Sequence, residues 1–530
     1  MARLTHAPRT LLSTLTLLTV LLSATACDHQ DDKVLSPLDV VHDEEKNTDR
    51  DAQAYVAPVD LELDWTLANT LVRADAEGEL LARIRVEAPE ALDLPRPPAR
   101  VVLVVDTSAS MRGEAIEGAK RAAAELVDTL ADGDSFSLVV FHSQAEVLMD
   151  ATVIGEESRA AAKAKIEKMQ AWGTTDLAGG LRSAFDQLSR TPITMGEDQL
   201  VDLGRGISAA GGPDPLVLER VVLLGDGVPN DPSPIAGLTQ QFAARGVEIT
   251  ALGYGLEYDE TLLASLAEQT HGHFRFVDEP DAVAELFRDE VLHIQRTVAR
   301  DLRLALGLGP GVRLLEVVGH QVQWNSNLGR PEVMLGSIAE AQTHELIVRL
   351  AVGPHNDGAT VELSDLELSY ADVYTGTGNR QERAFLSAMA SADVQAIEAG
   401  ENRDIARIGA RARTSAATLL VLQLARGGQT KDAKQQLRAA VDWARDAAKR
   451  LEDPELEKQA ADLEALAPEL ASLAPARQDP VAFVGSAQGG AGAGAGVANS
   501  PAFAPAPPPS SPDAARRVRK AHSEAFNDLH

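Results

Sequence analysis

The sequence predicts an α/β protein: a doubly wound, mostly parallel sheet, flanked by an antiparallel β-sandwich and followed by a C-terminal helical segment. Three observations carry this reading. Between Pro98 and Ala299, short β-branched runs alternate with segments of helical period, the pattern of parallel strands joined by crossover helices. On either side, at 59–97 and 300–376, strand-like pieces recur without long helices. From 380 to 474, Ala, Leu, Glu, Lys and Arg dominate, as in packed helices. A chain of 530 residues exceeds one core, and at roughly 150 residues per domain it holds about two to four.

Within the central region, Arg100–Val105 is a short apolar run suited to a buried parallel strand. Helix Gly113–Leu130, strand Ser135–His142, helix Arg159–Gln170 and helix Leu177–Ser189 follow. After a long gap come strand Arg220–Leu224, helix Ile235–Arg245, strand Glu248–Tyr254, helix Asp259–Thr270, strand His273–Val277 and helix Pro280–Ala299. The gap, Gly196–Pro215, reads as an insert away from the strand ends that face ligands. In the flanks, Val59–Leu67 and Glu79–Val86 read as strands, as do Leu302–Leu306, Arg313–Val318, Glu345–Val352 and Val361–Tyr370. Two strands alone make no stable sheet, so the two flanks are expected to pair into one sandwich with the α/β domain inserted between them. Residues 475–530 read as a low-complexity Gly/Ala/Pro linker and tail. Their Gly-Ala run follows no strand and opens no helix, which argues against a nucleotide-binding loop.

Charge narrows the partners. Asp and Glu outnumber Lys and Arg by 79 to 49, a formal charge of −30, which repels nucleic acid and anionic lipid. The single cysteine, Cys27, allows neither an intrachain disulfide nor a cysteine-based metal site. Its setting is informative. Arg3 and Arg9 precede an apolar run, Leu11–Leu22, too short to span a bilayer comfortably. Small residues then lead to Cys27. Ala24-Thr25-Ala26-Cys27 resembles a bacterial lipobox, which implies a signal peptide over 1–27, a lipidated Cys27 and a lipid anchor in the cell envelope. The plainer alternative is an ordinary cleaved signal with a chance cysteine. Residues 28–58, acidic and polar, read as a disordered tether.

The chemistry concentrates where strand Arg100–Val105 ends, at Asp106-Thr107-Ser108-Ala109-Ser110. In doubly wound folds, ligands bind outside the carboxyl ends of the strands. Carboxylate and hydroxyl oxygens are hard donors, suited to Mg²⁺, Mn²⁺ or Ca²⁺. Alone, the triplet is equally consistent with serines capping a helix that begins near Met111. Two more loops lie at the same edge: Gly173-Thr174-Thr175-Asp176, before a helix, and Gly225-Asp226-Gly227, after a core strand.

Together these three motifs, in this order and over about 200 residues, resemble the von Willebrand factor A domain and its metal-ion-dependent adhesion site. The resemblance implies that Ser108 and Ser110 ligate a divalent metal, Mg²⁺ first and Mn²⁺ or Ca²⁺ as alternatives. It implies that Thr175 is a further ligand, direct or through water, preferred over Thr174. It implies that Asp106 and Asp226 hold coordinated waters and the ligating hydroxyls. Gly225 departs from the Thr or Ser that often precedes the last Asp in that family. The implied function is binding without catalysis, the Asp or Glu carboxylate of a protein partner completing the metal shell; no nucleotide or nucleic acid is expected. A hydrolase or phosphatase is the competing class. Ser108 stands where a phosphatase of the haloacid dehalogenase kind needs an acidic residue, and no Gly-x-Ser-x-Gly elbow is present. A chaperone-like assembly role, known for some relatives of that family, conflicts with export. His271-Gly272-His273 is a weak metal pair at the opposite edge. Tyr254 and Tyr258 are candidates for the rim of a partner surface, and Trp443 for the core.

Overall fold

The computed structural model describes residues 59–90, 98–190, 217–255, 258–277, 279–374, 379–473 and 511–530. Cys27, the acidic segment 28–58, the insert Gly196–Pro215 and the Gly/Ala/Pro run lie outside them. No described helix is long and apolar enough to cross a membrane.

The chain begins with three strands, β1 (Glu62–Leu67), β2 (Leu71–Arg73) and β3 (Gly78–Glu87). It then enters the α/β domain. Here β4 (Ala99–Asp106) leads through α1 (Glu114–Thr129) to β5 (Ser135–Phe141) and β6 (Ala145–Val153). Helices α2 (Glu156–Ile166) and α3 (Leu177–Arg190) precede β7 (Leu218–Gly225). Next come α4 (Ile235–Arg245), β8 (Glu248–Tyr254), α5 (Glu260–Gln269), β9 (Phe274–Val277) and α6 (Pro280–Arg296).

The sheet order is β6-β5-β4-β7-β8-β9, with only β6 antiparallel. Every residue of β5 and β7 is buried, because helices cover both faces of a parallel sheet. Successive connections run one way from β4 to β5 and the other way from β4's second neighbour, β7. The crevice between β4 and β7 is therefore the topological switch point. β6 was not legible as a strand. It is a half-exposed edge whose ladder with β5 has two register shifts, which blur the alternation a strand is read from.

Helix α6 stops at Arg296, and Thr297 opens β10 (Thr297–Leu308) without an intervening loop. The expected helix end at Ala299 is thus three residues too late. β11 (Val312–Val317), β12 (Val322–Asn325), β13 (Arg330–Ala339), β14 (Thr343–Val352), β15 (Thr360–Asp372) and β16 (Asn379–Ser391) follow. They form two sheets with the first three strands, β1-β3-β14-β11 and β12-β13-β10-β15-β16-β2. The ladder from Glu87↔Thr343 to Gly78↔Val352 joins chain before the α/β domain to chain after it. Tyr370 Oη donates to Val59 O at 3.1 Å, and Asp372 Oδ2 accepts from Val59 N at 2.9 Å. The α/β domain is inserted into a sandwich built from both flanks.

Two expectations need correction. The segment expected to turn helical at 380 starts as strand β16. Its composition favours helix, but pairing with β15 over 11 residue pairs overrides propensity. Burial alternates: Leu386, Ala388 and Ala390 are buried, while Phe385 and Met389 are about half exposed. The helices begin afterwards, as α7 (Val394–Ala399), α8 (Arg403–Arg426), α9 (Thr430–Leu451) and α10 (Pro454–Glu464). Trp443 packs partly buried on the core of α8 to α10, with the Arg413 guanidinium 4.1 Å from its ring centre.

The second correction concerns the tail. Its last part is helix α11 (Pro512–Asn527), capped by Ser511. Ala514, Ala515, Val518, His522, Ala525 and Phe526 recur at helical spacing and are buried. Phe526 packs edge-on to Phe274, and Ser523 Oγ accepts from Phe276 N at 3.1 Å, so α11 covers the open edge of β9. Buried Arg519 donates to Tyr258 O and stands 4.0 Å from buried Glu260, which Arg426 also pairs.

Six of the chain's 12 histidines line one polar cavity of about 770 Å³. They are His271, His273, His293, His320, His344 and His530. Among the described residues no group of three His, Cys, Asp or Glu side chains could share a metal ion. Burial instead lowers His293 to about 3, His320 to about 4 and His530 to about 3, and it also lowers His271 and His344. His522 on α11 is held down to about 4 by the same cause. The unfolded chain gains these protons near pH 6.5, the folded chain only near 4 or below. Their contribution to stability is therefore complete above pH 7 and declines as pH falls from 6.5 toward 4. The predicted loss at pH 5 is on the order of 1 kcal/mol for each such histidine. Urea unfolding of wild type and His522→Gln at pH 7.5 and 5.0 tests this: wild type is expected to lose more stability on acidification than the variant, and an equal loss in both would contradict it.

Candidate metal centre

Asp106 is the last residue of β4, and Asp226 follows the last residue of β7. Parallel pairing in register brings the two strand ends side by side. The chain after β4 makes a short turn of 3₁₀ helix, Ala109–Met111, before α1. Ser108 stands at its N-cap but makes no side-chain capping bond, and the N-cap of α1 is Gly113. The hydroxyls are thus not employed as helix caps. Ser108 Oγ and Ser110 Oγ lie 2.8 Å apart, and both donate to Asp226 Oδ1, at 3.3 and 2.8 Å. Asp106 Oδ1 accepts from Ser108 N at 2.7 Å, which folds the loop back over the strand end.

The third loop is fastened to the first. Ala109 N donates to Gly173 O and Trp172 N to Thr107 O. Gly173 adopts φ +80°, where a side chain would meet Ser143 Oγ at 2.5 Å, so only glycine fits this bend. Thr174 turns toward Ser143 and accepts from Asn230 Nδ2. Thr175 faces the crevice and is buried. Asp176 caps the start of α3 by accepting from Gly179 N. The structure thus places Asp106, Ser108, Ser110, Thr175 and Asp226 around one point, with Thr174 and Asp176 turned to other tasks.

Three features fit a cation there. A Cβ on Gly227 would sit 2.8 Å from Thr175 Oγ1 and 3.5 Å from Asp106 Oδ2, so the glycine leaves open a hollow lined by these oxygens. Among the described residues Asp106 Oδ2 is buried without a hydrogen-bond partner, an expensive state for a carboxylate oxygen. The two carboxyl groups face each other, and among the described residues neither has an ion-pair partner. Burial raises Asp106, and burial together with the Asp106 charge pushes Asp226 up to about 8. Two like charges in one dry crevice cannot both ionise cheaply without a cation. The donor set is oxygen only, mostly neutral, which suits Mg²⁺ or another hard cation.

Gly225 proves sterically unconstrained: a Cβ there would meet only Leu263 Cδ1, at 3.9 Å. Its departure from Thr or Ser removes a hydroxyl without being required by space. Tyr254 lies at the end of β8, and the Asp226 charge helps raise its hydroxyl pKa after burial, which places it on one flank of the crevice. Tyr258 is not a rim residue. It is buried against Phe274, Phe276 and Arg519, because α11, unread in the sequence, covers that side. His271 and His273 precede β9, at the edge opposite Asp106.

An open α/β sheet with one antiparallel edge strand and an oxygen-lined crevice at its switch point places this domain in the doubly wound class. Residues 99–276 match the family model of the von Willebrand factor type A domain, and this part of the chain is such a domain. The uncharacterized protein sll0103 of Synechocystis sp. is 24% identical over 296 residues, covering 54% of this chain and 64% of that protein. The uncharacterized protein YfbK of Escherichia coli is 23% identical over 252 residues, covering 46% of this chain and 38% of its own length. The chain therefore spans less than two thirds of either relative. Among solved structures, von Willebrand factor type A from Catenulispora acidiphila superposes with a TM-score of 0.58 at 20% identity, covering 78% of this chain and 90% of that one. That likeness establishes a shared fold.

The raised Asp226 carboxyl has a measurable cost. An acid whose pKa rises on folding lowers stability progressively between its unfolded value, 3.8, and its folded value, about 8. Asp226→Asn removes the penalty and keeps an acceptor for both serines. In chelator at pH 8, the variant is expected to be more stable than wild type by at least on the order of 1 kcal/mol, as one pKa unit corresponds to about 1.4 kcal/mol. A variant less stable than wild type in urea titration would show that the carboxylate is compensated in the metal-free protein.

Proposed function

We propose that the protein binds a protein partner through a divalent metal, Mg²⁺ first, held at the crevice between β4 and β7. Ser108, Ser110 and Thr175 supply hydroxyl ligands, and Asp106 and Asp226 hold the surrounding waters and orient the hydroxyls. Bound there, the cation would offer a strong electrophilic position to an Asp or Glu carboxylate of the partner. The observation that carries this reading is the pair of buried carboxyl groups, without an ion-pair partner among the described residues, facing a hydroxyl-lined hollow that Gly227 keeps open. Neutral ligands leave most of the ion's charge uncompensated, so the attraction for an incoming carboxylate is large. The reading is one of binding, not catalysis. Ser108 and Ser110 donate to Asp226 and, among the described residues, bond to no histidine, so neither sits in the Ser-His arrangement of a hydrolase nucleophile.

Isothermal titration with Mg²⁺ decides the metal. Wild type is expected to take up one ion, and Ser108→Ala with Ser110→Ala to take up none while unfolding at nearly the same urea concentration. Equal uptake by both proteins would overturn the ligand assignment. Asp226→Ala is expected to weaken uptake about 10- to 100-fold, as is usual for groups that orient metal ligands.

The proposed destination is the bacterial cell envelope, through lipid on Cys27. The support is the apolar run Leu11–Leu22 and the small residues before Cys27. Mass spectrometry of the mature N-terminus is expected to find acyl chains on Cys27, and Cys27→Ala to move the protein from the membrane to the soluble fraction. A mature chain starting at another residue would exclude the anchor.

A further inference from the structure

The crevice has an aromatic neighbour that no motif announces. Trp172 precedes Gly173, and its side chain is 50% exposed. One face of the indole lies against His142, with ring centres 3.9 Å apart and planes 37° apart. His142 follows the last residue of β5 and is buried, so the indole sits above the carboxyl end of the strand next to β4. The Trp172 backbone is fastened to the neighbouring loop. Trp172 N donates to Thr107 O at 2.8 Å, and the next residue, Gly173, accepts from Ala109 N at 3.2 Å. Both bonds are to the loop that carries Ser108 and Ser110. Arg112, on the same loop, donates from Nε to Ala171 O at 3.4 Å and is exposed.

A half-exposed tryptophan costs free energy in water and is among the side chains that gain most when a partner covers them. The surrounding charges select what can cover it. A Lys or Arg of the partner would find the indole face attractive, but it would approach the Arg112 guanidinium and, on the reading above, a divalent cation. An uncharged aromatic or large aliphatic side chain meets neither objection. A segment whose carboxylate entered the crevice would bring the residue beside that carboxylate toward the indole, because the backbone of Trp172 and Gly173 is bonded to the loop that carries Ser108 and Ser110.

Building on the proposed metal-dependent binding, we propose that Trp172 is a specificity-determining residue, and that the partner segment carries an Asp or Glu next to an aromatic or large aliphatic residue. The acid occupies the metal and its neighbour packs on the indole. Preorganisation favours this arrangement, since the Trp172 backbone is anchored before binding and little backbone freedom is lost on contact.

The full-length protein can be titrated in Mg²⁺ with three fluorescein-labelled peptides, identical except at a central pair: Asp-Phe, Asp-Gly and Asn-Phe. Fluorescence anisotropy is expected to rank Asp-Phe at least about 10-fold tighter than Asp-Gly, as for a single hot-spot contact, with Asn-Phe not bound. Trp172→Ala should bring Asp-Phe down to the affinity of Asp-Gly, leaving Asp-Gly affinity and Mg²⁺ uptake unchanged. Trp172→Phe should keep most of the preference. With 5-fluorotryptophan incorporated, the ¹⁹F resonance that is absent from Trp172→Phe should be the one shifted most by Asp-Phe. Equal binding of Asp-Phe and Asp-Gly, or a preference that survives Trp172→Ala, would overturn the role of Trp172 while leaving the metal reading intact. Failure of every peptide to bind in a protein that takes up Mg²⁺ would overturn the carboxylate-binding reading, and this inference with it.

Discussion

Ten residue pairs between β3 and β14 hold the chain that enters the α/β domain to the chain that leaves it. The remainder of the architecture depends on that ladder. β3 leads into β4, whose far end carries Asp106, and α6 runs without a loop into β10. Both connections of the inserted domain therefore end in the sandwich. Strand pairing of this length is cooperative and buries one face on each side, so its register is strongly specified. A one-residue slip would expose Ile84 and Val86, which are fully buried.

The crevice between β4 and β7 shows how a fold places groups that would otherwise avoid each other. Asp106 and Asp226 are 120 residues apart in the numbering, and the parallel ladder brings their strand ends together. The fold accepts the repulsion because the strands that carry these residues are buried along their length. Packing supplies the stability, and the site draws on it, as strained or destabilised groups at functional sites generally do. The serine hydroxyls soften the conflict by donating to Asp226, and Gly227 keeps the hollow free of a side chain.

Helix α11 applies a second constraint, on the opposite side of the domain. It covers the edge of β9 through Phe526 and Ser523 and binds Glu260 through Arg519. An open sheet edge invites pairing with other chains, and here a helix from the end of the chain closes it. The same helix buries Tyr258, which explains why a tyrosine close in sequence to the carboxyl end of β8 does not line the crevice.

What the sequence determined by itself was the class of the central sheet and the identity of the oxygens at its switch point. Those signals are local: apolar runs such as Val101–Val105 are short and β-branched, and Asp106, Ser108 and Ser110 lie within five residues at a strand end. Insertion into a sandwich was legible too, because two strands before the domain could not form a sheet alone. The tertiary structure decided the rest. β6 and β16 are strands because a neighbour pairs with them, against weak alternation in one and helical composition in the other. The N-terminal part of the tail gave no hint that Pro512–Asn527 would find a docking face, since the residues that make that face belong to β9, α5 and α8. Whether Ser108 and Ser110 cap a helix or face a crevice was undecidable from their spacing, because both uses need the same residues at the same positions. Only the approach of Asp226, from a strand distant in sequence, turned those hydroxyls toward the crevice.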